Sequence, residues 1–189
     1  GSKGLVLPQA DGNYQGNISR ELFCMQIVNM VETVLGAPVE VTIDNPFEDT
    51  DNAYVVKAYQ LGIVNGTTET QFNPSAFITR QAIAAMMMRS ARALDQLTGR
   101  EYSNVTGTES IVFADQDDIL SWALADIRAA NALSIMNGIG DNRISPTGNT
   151  TVEQSILMIN RFYDGFLSTP NASSTIISSV VYDPLKTYG

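Results

Sequence analysis

The residue types behind most enzyme chemistry are scarce in this chain. It has no histidine, which removes the Ser-His-Asp and Cys-His nucleophile systems and the commonest zinc ligand. The one cysteine, Cys24, lies in Leu22-Phe23-Cys24-Met25 and reads as a small core residue. Carboxylates remain, in two clusters: Glu48, Asp49 and Asp51, then Asp115, Asp117 and Asp118. A glycosidase needs two carboxylates facing each other across a sugar cleft. These clusters stand just before expected helices, where Asp caps N–H groups and complements the helix dipole. Capping is therefore the expectation, and no catalytic residue is assigned. A calcium loop starting at Asp115 would place Gly sixth and Glu twelfth. Leu120 and Asp126 stand there, so no EF-hand, metal site or cofactor is assigned.

Composition narrows the partners. The chain has 189 residues, 44% of them hydrophobic and 16% charged, which excludes wholesale disorder and supplies a core. Eleven Lys and Arg against 20 Asp and Glu give a net charge of −9, which repels nucleic acid and anionic lipid at long range. No apolar run approaches the roughly 18 residues that suggest a membrane span, so neither nucleic acid nor membrane insertion is expected. The opening Gly1-Ser2 reads as a cloning scar, so the absence of a signal peptide says nothing about secretion.

The strongest signal is internal repetition. Residues 47–66 read FEDTDNAYVVKAYQLGIVNG and residues 113–138 read FADQDDILSWALADIRAANALSIMNG. Each opens Phe-x-Asp, runs through an amphipathic stretch and ends in a turn, Gly62-Ile63-Val64-Asn65-Gly66 or Ser134-Ile135-Met136-Asn137-Gly138. Short loops follow, holding Phe72-Asn73-Pro74 and Ile144-Ser145-Pro146, and then second helices open at Ile78-Thr79-Arg80-Gln81 and Thr150-Thr151-Val152-Glu153. The N-terminus carries the back half of another copy: Gly4-Leu5-Val6 matches Gly62-Ile63-Val64, and Ile18-Ser19-Arg20-Glu21 matches Ile78-Thr79-Arg80-Gln81. Two and a half helix–loop–helix units result, each too small to bury its apolar face alone.

Helical spacing supports this division. Phe23, Ile27, Met30, Val31 and Val34 form one stripe; Ile83, Met86, Met87 and Leu94 a second; Ile156, Ile159, Phe162, Tyr163 and Phe166 a third. Met86-Met87-Met88 reads as helical core or interface, and Trp122 and Tyr54 as core or rim aromatics. Ser19, Thr79 and Thr151 stand at N-cap positions, and Thr151-x-x-Gln154 fits a capping box. Gly36 and Gly99 are the expected helix stops. Residues 37–46 and 99–112 read as linkers. The segment 168–189, with its β-branched run from Ile176 to Val181, reads as a tail or tether, favoured by its polar flanks, or else as a strand packed across the bundle. Asn104-Val105-Thr106 and Asn171-Ala172-Ser173 match the glycosylation sequon and read as chance.

Phe47-Glu48-Asp49, Gly62-Ile63-Val64-Asn65-Gly66, Phe72-Asn73-Pro74 and Ile78-Thr79-Arg80, recurring in fixed order, resemble the S-layer homology module of bacterial surface proteins. The resemblance covers nearly all of residues 4–167, as repeats at 4–36 (back half), 47–98 and 113–167. It implies an all-α, pseudo-threefold bundle of helix–loop–helix repeats whose first repeat lacks its front helix. It also implies a non-catalytic module at the bacterial cell surface that binds secondary cell-wall polysaccharide, often pyruvylated, of a Gram-positive type wall. Other domains of the same surface protein are the further expected partners. A guanidinium at a helix start offers a forked, always-charged donor to such an anionic sugar. The expected carbohydrate-binding residues are therefore Arg20 and Arg80 with their neighbours Ser19 and Thr79, and the turns Asn65-Gly66 and Asn137-Gly138, where glycine would let backbone approach a sugar ring. In the last copy Val152 occupies the arginine position, and Leu22, Ala82 and Gln154 stand where the family has glutamate, so the third groove is expected to be lost or altered. The alternative reading is an interaction module whose carbohydrate grooves have decayed. The negative charge means that binding must come from local, salt-sensitive donors.

Overall fold

The structure is a computed structural model that describes residues 12–170. The Gly4-Leu5-Val6 match, the Asn171 sequon and nearly all of the proposed tail lie outside the described residues. Five α-helices make up the described fold: α1 (Arg20–Leu35), α2 (Ala53–Gln60), α3 (Arg80–Thr98), α4 (Ser121–Ala132) and α5 (Val152–Ser168). Two short 3-10 turns, Thr108–Ser110 and Gln116–Asp118, precede α4. Among the described residues extended backbone forms only isolated bridges, so the architecture is all-α.

The three long helices begin alike. Ser19, Thr79 and Thr151 each adopt extended backbone and accept a hydrogen bond from the N–H three residues on, and Thr151 with Gln154 closes the capping box. Gly36 (φ 69°) and Gly99 (φ 72°) end α1 and α3 in the left-handed region, where a side chain would be strained. The front helices α2 and α4 pack on the back helix of the preceding copy, α2 on α1 and α4 on α3, while α5 packs on α1. The apolar stripes converge on one core, with Phe23, Phe72, Ile83, Met87, Phe162 and Phe166 fully buried. Cys24 is fully buried as well, and burial pushes its thiol up to about 12, so it is inert core.

Main-chain bonds tie the helix starts together in closed rungs. Ile18 N donates to Thr150 O (2.8 Å), Thr150 N to Ile78 O (3.1 Å) and Ile78 N to Ile18 O (3.2 Å). One residue into each helix, Arg20 N reaches Ala76 O, Arg80 N reaches Gly148 O and Val152 N reaches Gly16 O. A third rung joins Glu21 N to Pro74 O, Gln81 N to Pro146 O and Glu153 N to Tyr14 O. First-turn N–H groups that a helix leaves unpaired are thus satisfied by a neighbouring copy's loop.

Several expectations change. The acidic clusters do not cap α2 and α4. Asn52 caps α2, and Leu120 precedes α4 with no side-chain cap. Leu120 N is taken instead by Gln81 Oε1 of the previous copy (3.1 Å). The segments between copies are also more than connectors. Gln60 pins residues 40–42 through Thr42 N (2.7 Å) and Glu40 O (2.9 Å). Tyr102, inside 99–112, is buried edge-on against Phe162 and Phe166. Nearby, Arg100 donates to the carbonyls of Phe166, Leu167 and Thr169 at the end of α5.

Burial, reinforced by Asp95, pushes the Tyr102 hydroxyl up to about 12, and that hydroxyl has no hydrogen-bond partner among the described residues. Its neutral form is favoured in the folded state, so stability drops as pH rises from the ordinary tyrosine value of about 10 toward that raised value. Tyr102→Phe should leave the neutral-pH melting temperature unchanged or raise it, because a buried unpaired hydroxyl is removed. It should also flatten the alkaline loss of stability. Thermal melts between neutral and alkaline pH check both; a marked neutral-pH destabilisation would mean the hydroxyl is bonded.

Candidate functional site

The two arginines at the helix starts do the same job in successive copies. Arg20 Nε donates to Phe72 O (3.0 Å) and its Nη2 to Asn65 O (3.1 Å). Arg80 Nε donates to Ile144 O (2.7 Å) and its Nη2 to Asn137 O (2.7 Å). Each guanidinium therefore reaches from its own helix into the turn and loop of the next copy. Arg20 also lies 4.6 Å from the Phe72 ring centroid. The surroundings differ: Arg80 is only 6% exposed, while Arg20 is half-buried. Burial lowers the pKa of both, opposed chiefly by Cys24 and then Asp49 at Arg20, and by Asp115 at Arg80. Arginine starts so high that both stay charged.

The Phe-x-Asp carboxylates meet these loops from the opposite side. Asp49 accepts from Phe72 N (2.8 Å) and Asn73 N (2.7 Å); Asp115 accepts from Ile144 N (3.0 Å) and Ser145 N (2.8 Å). The loop residue Phe72, or Ile144, thus gives its N–H to an aspartate and its carbonyl to an arginine. Asn73 (φ 61°) and Ser145 (φ 53°) hold matching left-handed backbone at the next position. The Phe72 N–H bond is the main force holding the Asp49 carboxyl below its ordinary value. At Asp115 burial pushes the carboxyl up, but the Ile144 and Ser145 N–H bonds, with Arg143 at 3.8 Å, outweigh it and the net shift is downward.

The sequence-predicted residues fall into two groups of neighbours, Arg20 with Asn65-Gly66 and Arg80 with Asn137-Gly138. Asn65 and Asn137 are exposed and supply backbone carbonyls to the arginines. The hydroxyls of Ser19 and Thr79 are engaged as caps. At Gly66 a Cβ would lie 2.2 Å from Thr68 O and 2.7 Å from the Phe47 ring, and at Gly138 a Cβ would lie 2.9 Å from Arg143 O. In both turns the loop itself occupies the room that glycine leaves. Val152 is 4% exposed, so the third arginine position is an apolar core site.

Beside Arg20 the surface opens into a cleft of about 260 Å³. Arg20, Asn65, Gly66, Met86, Arg89 and Trp122 line it, bringing together three copies. Arg89 adds a second guanidinium, whose Nη1 lies 3.5 Å from Ile63 O. Trp122, on α4, is 52% exposed, so it is a rim aromatic rather than core. Sequence reasoning left Arg89 and Trp122 out of the site. An arginine one turn beyond Met86 on the same face of α3, and a tryptophan at the start of the next front helix, were visible as residues, but only the packing of α4 on α3 joins them to Arg20. Among the described residues no cluster of His, Cys, Asp and Glu could hold a metal ion, and no helix is long and apolar enough to cross a membrane.

Residues 47–84 and 112–153 match the S-layer homology domain, which identifies these two segments as modules of that family. An endoglucanase of a Bacillus species is 35% identical over 120 residues, which are 61% of this chain and 12% of that protein. An amylopullulanase of Thermoanaerobacterium thermosulfurigenes is 28% identical over 164 residues, 84% of this chain and 8% of that protein. The chain therefore spans about a tenth of the length of either relative.

Stability from the Asp115 clamp has a definite pH sense. Its carboxyl is depressed on folding, so its contribution is complete above the unfolded value of about 3.9 and is lost as pH falls through the lower folded value. Asp115→Asn presents an NH2 where a second acceptor is needed. The variant should melt lower at neutral pH and show a shallower loss of stability on acidification than the parent. Parallel melts from neutral to acid pH measure this, and coincident profiles would show that the carboxylate contributes nothing.

Proposed function

We propose that this chain is a non-catalytic anchor at a bacterial cell surface that binds an anionic secondary cell-wall polysaccharide, including its pyruvylated form. The observation that carries the reading is the Arg20 cleft, an open site with two guanidinium groups and a half-exposed indole on a chain of net charge −9. A sugar ring presents C–H groups that pack on an aromatic face, and a carboxylate accepts from forked arginine donors. Arg20 and Arg89 supply the cationic wall, Trp122 the platform, and Asn65-Gly66 the floor. Ser19 acts by fixing the start of α1. Arg80, Thr79, Asn137 and Gly138 form the corresponding arrangement one copy later, with the guanidinium more deeply enclosed. The pseudo-threefold packing of the repeats belongs to this reading and is supported by the three hydrogen-bonded rungs. The absence of histidine, and the engagement of Asp49 and Asp115 by backbone N–H groups, support a role without catalysis. Attachment to further domains of a larger surface protein belongs to the same reading, and the small share of its relatives that the chain covers supports it.

One observation favours the alternative, an interaction module with decayed grooves. Arg80 is enclosed with Nε and Nη2 both spent on backbone carbonyls, while Ile139 and Leu157 are exposed at 57% and 49%. The two readings separate in a sedimentation assay with peptidoglycan sacculi, prepared with and without their acid-labile secondary polymer. Binding should require the polymer and weaken as salt rises, because the attraction is local and charge-based. Trp122→Ala and Arg89→Ala should each lower binding about tenfold while leaving the melting temperature near that of the parent, a loss of about 1.4 kcal/mol that lies within reach of an aromatic contact or a charged hydrogen bond. Arg80→Ala should lower stability in addition, since it strands two carbonyls. Unchanged binding by the Trp122 and Arg89 variants, or equal binding to stripped sacculi, would reject the anchor assignment.

A further inference from the structure

Repetition creates a problem of identity. Three similar helix starts meet in rungs built from main-chain atoms, and main-chain atoms do not distinguish one copy from another. Two junctions follow the chain from copy to copy. The third, between α5 and α1, joins segments remote in sequence. Side chains must therefore tell α1 that its neighbour is α5.

At this junction, and at neither of the others, the paired core positions are polar. Gln26 and Ser155 are both fully buried, and Ser155 Oγ lies 2.8 Å from Gln26 Oε1 across the α1–α5 contact and 2.7 Å from Val152 O in its own helix, so its one proton is shared between two acceptors. Aligning the copies on their helix starts places Met86 and Met158 at the positions equivalent to Gln26, and Phe23 and Ile83 at those equivalent to Ser155. The corresponding pairs are then Phe23 with Met86 and Ile83 with Met158, both wholly apolar. Thr150, also fully buried, stands where the other copies have Ile18 and Ile78. Polar residues thus replace apolar ones on both sides of one junction.

Stability alone does not account for the replacement. Gln26 Nε2 and Thr150 Oγ1 are buried with no hydrogen-bond partner among the described residues, and such groups cost free energy. A buried polar pair that is neutral or costly in stability can still discriminate between pairings, because each wrong pairing strands it against an apolar side chain. If α1 met α3 in place of α5, Gln26 would face Ile83. If α5 met α3, Ser155 would face Met86.

We infer that the Gln26–Ser155 pair is a registry latch, which makes the α5–α1 closure specific among three similar junctions. The test uses the full chain with Gln26→Met, Ser155→Ile and the double variant, which copies the apolar junctions. Ser155→Ile should shift the folding equilibrium toward unfolded by about tenfold or more, the scale of a stranded buried amide. Should it fail to fold, Ser155→Ala, which removes the hydroxyl without adding bulk, reads the same loss. The double variant should recover a melting temperature at or above that of the parent. It should also lose uniqueness, seen as added associated species in light scattering and as broadened or duplicated amide resonances for α1 and α5. A double variant that stays a single monomeric species with parent-like amide exchange at the junction would overturn the latch. So would strictly additive single effects, because they would mean that the two residues do not act as a pair.

Discussion

The fold hangs on one loop residue in each of two copies, held at its N–H and at its carbonyl by side chains of opposite charge. Phe72 and Ile144 each give their N–H to an aspartate of their own copy and their carbonyl to an arginine of the copy before. The bonds are charge-assisted and partly buried, which makes them stronger than neutral ones. The aspartate folds the loop back on its own front helix, and the arginine ties that loop to the previous back helix. The same contact therefore defines the unit and joins it to its neighbour. Glu21 and Gln81, next to the arginines, extend the link by meeting Thr50 and Leu120 at the start of the following front helix.

This arrangement explains which parts of the structure were legible in the sequence. Repeat boundaries, helix caps and apolar stripes are local and periodic, and the N-caps at Ser19, Thr79 and Thr151 fall where the hydroxyl pattern put them. Aspartate before a helix is ambiguous, because a carboxylate accepts equally well from first-turn N–H groups and from a loop two dozen residues away. The Phe-x-Asp signal was visible, but its partner was not. Tyr102 was hidden differently. Its segment has the composition of a connector, yet the Asp95 carboxylate holds Tyr102 N and Ser103 N (2.9 and 2.7 Å) and sets the ring against Phe162. The candidate site was half legible: the repeat pattern and the family it resembles pointed to the arginines and the Asn-Gly turns, whereas Arg89 and Trp122 join Arg20 only through helix packing.

The clamp also limits what an arginine can do besides. A guanidinium has five donors in a planar fork, and two of them at Arg20 and at Arg80 are committed to carbonyls. Exposure then decides the rest. Arg20 borders open cleft beside Trp122, whereas Arg80 is enclosed. A site built on a clamp residue couples ligand affinity to the stability of the loop beneath it. That makes Arg89 and Trp122, which carry less of the fold, the better separable probes of recognition.

Where one copy loses its arginine, the architecture persists. Val152 contributes no charge and no side-chain hydrogen bond, yet its N–H still completes the rung to Gly16 O (3.0 Å). The main chain therefore closes around the helix starts whichever side chains are present, and the side chains are free to differ from junction to junction. Two junctions keep the arginine clamp over an apolar contact. The third has Val152 and, below it, the buried Gln26–Ser155 pair. A closed set of near-identical units needs at least one unlike junction if its order is to be unique. Here the unlike junction is the one that the covalent chain does not enforce, which is where a difference between side chains has the most to decide.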